Sequence, residues 1–161
     1  MEKTIVSDTS PLINLEKLND GFLFIRKLYG KILIPQAVFK ELSYQRNEYL
    51  KTHAIKDIIK ILPIQKNEIP YFKRKMHSGE IEAISLALKY KLPLLIEEHN
   101  GRKEAQELKI KISGIAGQIY YAYTQNIIGE KESHSKLDQL VQSGGIGEKV
   151  HSIILAKIQE N

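Results

Sequence analysis

Residues 5–15 read IVSDTSPLINL, and the arrangement of the whole chain follows from how that run is read. Ile5, Val6 and Ser7 have the makeup of a short buried strand. Asp8 then cuts the apolar run, two hydroxyl residues and Pro11 follow, and Leu12, Leu15 and Leu18 return at helical spacing. A strand over Lys3–Ser7 and a helix with Ser10 as N-cap and Pro11 at its first position account for these choices. They also leave a carboxylate where strand passes into helix.

The alternation continues along the chain. A short helix is expected over Gly21–Leu28. KILIP (31–35) is a strand, and Pro35 leads into a helix on which Val38 and Leu42 share a face. Residues 45–75 are expected to be helical in pieces, broken at Pro63 and Pro70. Gly79–Tyr90 is a helix, LPLLIEE (92–98) a strand, and NGRKEAQELK a helix. KIKISG (109–114) is a fourth strand, followed by a helix over IAGQIYYAYTQNI. Two tail helices, Lys131–Ser143 and Ile146–Glu160, are split at Gly144-Gly145. Strands alternating with helices predict an α/β fold with a parallel sheet covered on both faces. The expectation is one domain over 1–161, with C-terminal helices 131–160 packed on it.

Bulk properties narrow the class. A chain of 161 residues with 42% hydrophobic and 27% charged residues has a globular composition and enough length for a core. No apolar run approaches the ~18 residues that cross a bilayer, and MEKTIVSD lacks the long apolar stretch of a secretory signal. The absence of cysteine excludes disulfides, thiolate metal ligands and cysteine nucleophiles, and fits the reducing cytoplasm, the expected location. Lys and Arg number 24 against 19 acids, a balance of +5. The surplus lies between Lys40 and Lys75, where nine basic residues meet four acids and Tyr44, Tyr49, Tyr71 and Phe72 stand among them. Cations interleaved with aromatic rings suit a polyanion such as RNA. A solvated helical face has the same composition.

In a parallel sheet, ligands bind outside the carboxyl ends of the strands. IVS runs into Asp8 and LLI runs into Glu97 and Glu98, so two strands end in acids on one rim. Glu41, from the helix after KILIP, and Glu82, in the first turn of the helix near Gly79, reach the same rim. Capping acids and first-turn, dipole-favoured acids have the same appearance, so Asp8 has a capping alternative and one of Glu80 and Glu82 has a dipole-favoured role. Spacing alone leaves Glu97 and Glu98 undecided, and His99 reads as loop surface. Converging carboxylates repel, at about 4 kcal/mol for a pair ~4 Å apart at an effective dielectric of ~20. An oxygen-only donor set matches Mg2+ or Mn2+. Such a site suits in-line hydrolysis of a phosphodiester. A phosphatase or phospho-receiver of similar topology needs a further acid beside Asp8, where Thr9 and Ser10 stand.

DTSPLI after a short strand, ILIPQAVFKEL, GEIEAISLAL and LLIEEHNGRKEA together resemble the PIN-domain nucleases, and most closely the VapC-like subgroup with a GR..A motif. The tail KLDQLVQSGGIGEKVHSIIL resembles that subgroup too. The resemblance implies a three-layer α/β/α fold around a parallel sheet and a Mg2+- or Mn2+-dependent ribonuclease, often the toxin of a toxin–antitoxin pair and typically a homodimer. It implies Asp8, Glu41, Glu82 and Glu97 as catalytic and metal-holding acids, with Ser10 as the hydroxyl beside the first acid and Arg102 as the arginine of the GR motif. Two features depart from the pattern. Glu97 stands where the family usually has aspartate, and Gly-Ile-Ala-Gly (114–117) lacks a hydroxyl often found there. These departures motivate a second expectation, a degenerate PIN module that binds RNA or a protein partner without cleavage.

Overall fold

The computed structural model describes residues 2–45 and 56–160. Five strands form one parallel sheet: β1 (Thr4–Ser7), β2 (Lys31–Pro35), β3 (Ile59–Leu62), β4 (Leu94–Leu95) and β5 (Ile112–Ser113), in the order β3-β2-β1-β4-β5. Among the described residues eight α-helices flank it. They are α1 (Thr9–Glu16), α2 (Gly21–Leu28), α3 (Gln36–Gln45), α4 (Ser78–Tyr90), α5 (His99–Glu107), α6 (Ile115–Thr124), α7 (Glu130–Gln142) and α8 (Glu148–Gln159). The result is a three-layer α/β/α, PIN-like arrangement, as the alternation and the resemblance imply.

Strands covered on both faces are apolar throughout. Ile5 and Val6 of β1 and Ile32, Leu33 and Ile34 of β2 are all buried. Leu137 and Leu140 of α7 and Ile154 and Ile158 of α8 belong to the same buried cluster. The tail helices are therefore part of the core packing.

Several boundaries differ from the expectation, among them the strand expected over 109–114, which narrows to Ile112–Ser113. Residues 59–62, expected within a helical stretch, form β3 parallel to β2, with Ile32 opposite Ile59 and Pro35 opposite Leu62. Ile59 is buried while Ile61 is 41% exposed, so burial fades along this edge strand, and Pro63 follows its end. Residues 46–55 of that stretch lie outside the described residues. The strand expected over 92–98 narrows to Leu94–Leu95, although ladder hydrogen bonds run from Pro93 O, which accepts from Val6, to the Ile96 N–H, which reaches Ser113 O. Helix α1 begins at Thr9 with Asp8 as the extended residue before it, so Ser10 lies inside the first turn. Pro11 is still tolerated there, because first-turn N–H groups have no intrahelical acceptor.

The irregular run between β3 and α4 is held by one buried acid. Glu104 of α5 is 3% exposed, and its Oε1 accepts the backbone N–H groups of Lys73 and Arg74 at 2.8 and 2.7 Å. The Arg74 guanidinium adds ion pairs to Glu104 at 3.4 Å and Glu107 at 3.1 Å. Lys73 Nζ adds an exposed pair to Glu107 at 3.8 Å, so two cations of the basic run are engaged within the protein. Glu104→Ala, which strands those donors, should lower stability by roughly 3–5 kcal/mol. Lys73→Ala, which loses only an exposed pair, should change it by less than about 1 kcal/mol. Chemical denaturation of the two variants checks the contrast.

Candidate functional site

Asp8 continues directly from β1 at the carboxyl edge of the sheet, where its N–H reaches Leu95 O at 3.0 Å. It is 3% exposed and makes no side-chain capping bond to α1. The carboxyl is pushed up from its ordinary 3.8 to about 7. Burial is the main cause. The Thr9 N–H opposes it, and the charges of Glu80, Glu41 and Glu98 push further in the same direction.

Those three acids arrive from separate elements. Glu41 comes from α3, and its Oε2 accepts a 2.6 Å hydrogen bond from the Thr9 hydroxyl. Glu80 lies in the first turn of α4, where Oε1 accepts the His77 N–H at 3.2 Å. Burial raises its pKa first, and Glu98 and Glu41 add to the rise. Glu98 is the exposed residue immediately before α5. Gly79 is what lets two of the carboxylates approach. A Cβ there would stand 2.8 Å from Glu41 Oε2 and 3.4 Å from Asp8 Oδ1, so both oxygens face one small space.

Glu82 and Glu97 each accept hydrogen bonds from neighbouring elements. Glu82 Oε1 accepts the Ala37 N–H at 3.1 Å at the start of α3, and Glu82 lines a cleft of about 790 Å3 that Glu41, Lys40 and His77 share. Glu97 accepts hydrogen bonds from the Asn14 side chain and, at 3.4 Å, from the Ile115 N–H at the start of α6. A Cβ at Gly114 would collide with Glu97 Oε1, so the glycine makes room for this carboxylate. Asn14 also reaches Gly145 O at 3.2 Å, tying α1 to the turn between the tail helices. Ser10 faces a smaller cleft of about 210 Å3 beside Asn14, Glu97 and Glu98. Arg102 donates to Ile96 O at 2.9 Å; burial raises the pKa of Glu97, and the Asn14 side chain, the Ile115 N–H and the Arg102 charge oppose that rise.

A family profile described as DUF3368, a PIN domain, matches residues 4–160. The chain belongs to the PIN domain family. Comparison with curated proteins gives no match. Among solved structures the chain is similar to a PilT N-terminus domain protein from the hyperthermophilic archaeon Sulfolobus solfataricus P2. Identity is 16% and the TM-score 0.49, over 68% of this chain and 85% of that one. PIN domains are generally nucleases that act with divalent metal ions, which supports a nuclease-type activity at that coarse level.

In this PIN domain the structure brings together Asp8 and Glu41 from the sequence-derived set, and it joins them with Glu80 and Glu98. The donors are all carboxylate oxygens, suited to a hard divalent cation. Among the described residues no group of three His, Asp or Glu side chains is arranged to hold a metal ion; Glu41 lines a cleft with Glu82, and Glu98 lines one with Glu97. Sequence reasoning passed over Thr9 and Asn14, and of Glu80 and Glu82 it favoured Glu82. The His77-to-Glu80 spacing of a capping box and the one-turn step from Ser10 to Asn14 were the available signals.

The raised pKa of Asp8 gives a signed pH dependence. Below about pH 4 the group is protonated in both the folded and the unfolded chain. As pH rises to about 7 only the unfolded chain releases the proton, so stability of the metal-free protein falls and then levels off. In chelator at pH 8, Asp8→Asn should therefore be more stable than wild type, by up to roughly 4 kcal/mol, with the difference vanishing near pH 4. Denaturation midpoints across that range measure it.

Proposed function

We propose that this PIN domain is a Mg2+- or Mn2+-dependent endoribonuclease whose ions are held by Asp8, Glu41 and Glu80, with Glu98 completing the rim. The observation that carries this reading is the buried Asp8 carboxyl, pushed up to about 7 among like charges and facing Glu41 across Gly79. No counter-cation contributes to its titration, and a divalent ion would relieve the repulsion. Glu82 and Glu97, which the family resemblance places in the set, act in this proposal as supports for α3 and α6.

Bound ions would polarise the phosphodiester and make a coordinated water more acidic. The chain's own groups prepare the place. Asp8 and Glu41 present oxygens into the space beside Gly79, and the Thr9 hydroxyl fixes the Glu41 carboxylate at 2.6 Å. The His77 N–H holds one Glu80 oxygen, and the other stands beside Gly101. Lys40, in the adjoining cleft with Glu41, places a positive charge where a phosphate could lie. RNA as the polymer, the toxin role with an antitoxin partner, a homodimeric state and a cytoplasmic location rest on the VapC-like resemblance and the basic, aromatic-bearing 40–75 segment. No helix among the described residues is long and apolar enough to cross a membrane. The whole chain is treated as one PIN domain, in keeping with the matched span.

A second reading is a module that binds nucleic acid or a protein without cleaving. It is favoured by the lack, among the described residues, of three ligands already arranged round one point. Cleavage of end-labelled RNA in Mn2+ separates the two. Wild type should cleave, Asp8→Asn should lose about 100-fold or more, and Glu82→Gln should retain most of the rate. Equal cleavage by wild type and Asp8→Asn would remove the assignment.

A further inference from the structure

The amino ends of the strands, at the edge of the sheet opposite the acids, carry a further cavity. It has a volume of about 420 Å3, within the range of small-molecule sites. Lys3 and Thr4 at the start of β1, Pro93 before β4 and Lys111 before β5 frame its mouth, and α6 covers it with Gln118 and Tyr121. The floor is apolar, made by the buried Ile5 and Leu94 with Ile112 beside them.

Its polar groups have one electrical character. Lys3 and Lys111 both line it, none of the described lining residues is a carboxylate, and no ion pair is formed by either lysine among the described residues. Lys3 Nζ is held at the mouth, donating to Tyr121 Oη at 2.6 Å and standing 5.1 Å from that ring's centre. Tyr29 lies at the base and donates to Gln118 Oε1 at 2.7 Å, which leaves the amide nitrogen as the donor end of a carboxamide that is 5% exposed. Burial pushes the Tyr29 phenol up to about 12, so it stays a donor at neutral pH. Two cations and an amide donor sit round an apolar slot bounded by tyrosines. That combination recognises a negative charge attached to a flat ring.

We infer that this cavity is a binding site for a small ring-bearing anion, of the class of an aryl or nucleoside monophosphate, distinct from the acidic pocket. The inference does not depend on the nuclease reading. Because the two pockets are of opposite charge and lie on opposite edges of the sheet, occupancy of one can be measured with the other disabled.

The probe is phenyl phosphate, titrated into the full chain in chelator and followed by amide chemical shifts. Saturable changes at Tyr29, at 111–113 and at 117–121 are expected at about millimolar concentration. Lys3→Ala/Lys111→Ala, which alters only exposed side chains and should fold, is expected to weaken binding at least tenfold, as is replacement of the probe by inorganic phosphate. Uridine 5′-monophosphate tests whether a nucleoside ring fits the same slot, and stronger binding than phenyl phosphate assigns the site to nucleotides. Asp8→Asn should bind phenyl phosphate as wild type does. The inference is overturned by silent amides at those positions, by unchanged affinity in the double variant, by inorganic phosphate binding equally well, or by loss of binding in Asp8→Asn.

Discussion

Burying Asp8 at the carboxyl end of β1, with Glu80, Glu41 and Glu98 close enough to raise its pKa, is the constraint on which the rest of this molecule depends. An isolated buried carboxylate is costly, and like-charged neighbours add to the cost. The chain tolerates it through features that have no other evident use. The Thr9 N–H offsets part of the penalty on Asp8, and the Thr9 hydroxyl holds Glu41. Gly79 keeps the space between Asp8 and Glu41 open, and the His77 N–H steadies Glu80. The core is arranged so that four elements deliver acids to one place.

The surrounding polar contacts make that rim rigid. Glu97 joins α1, through Asn14, to the start of α6, and Asn14 extends the link to Gly145 between the tail helices. Glu82 holds the start of α3, the helix that carries Glu41. Glu104 pins the segment that leads to His77 and Glu80. Acids at this rim therefore differ in their partners: Glu82, Glu97 and Glu104 accept backbone N–H groups of neighbouring elements, while Asp8 and Glu41 stand beside Gly79. Both kinds occur within a few residues of each other in the sequence.

That proximity explains what the sequence could and could not reveal. β1, β2, the helices and the tail were legible, because short continuous apolar runs and apolar residues at helical spacing are strong signals there. β3 was not, because Ile58-Ile59-Lys60-Ile61 within a basic stretch fits either period until its partner strand is known. Asp8 and Glu41 were legible as rim acids because each follows a clear strand. Glu80 and Glu82, and Glu97 and Glu98, cannot be told apart by spacing. Two acids one or two residues apart differ only in which way the backbone turns them, and local capping bonds decide that. Thr9 stayed hidden behind Ser10 for the same reason, since placing the helix start one residue earlier changes which hydroxyl faces Glu41.

The central claim is that the carboxylates beside Gly79 hold divalent cations. Anomalous diffraction from crystals soaked in Mn2+ tests it most directly, because it reports where the ion lies without relying on turnover. The account predicts a peak within bonding distance of Asp8 and Glu41, with Glu80 or Glu98 as a further ligand, and its loss in Asp8→Asn. A peak held by Glu82 or Glu97 without Asp8, or no peak at this rim at saturating Mn2+, would contradict it.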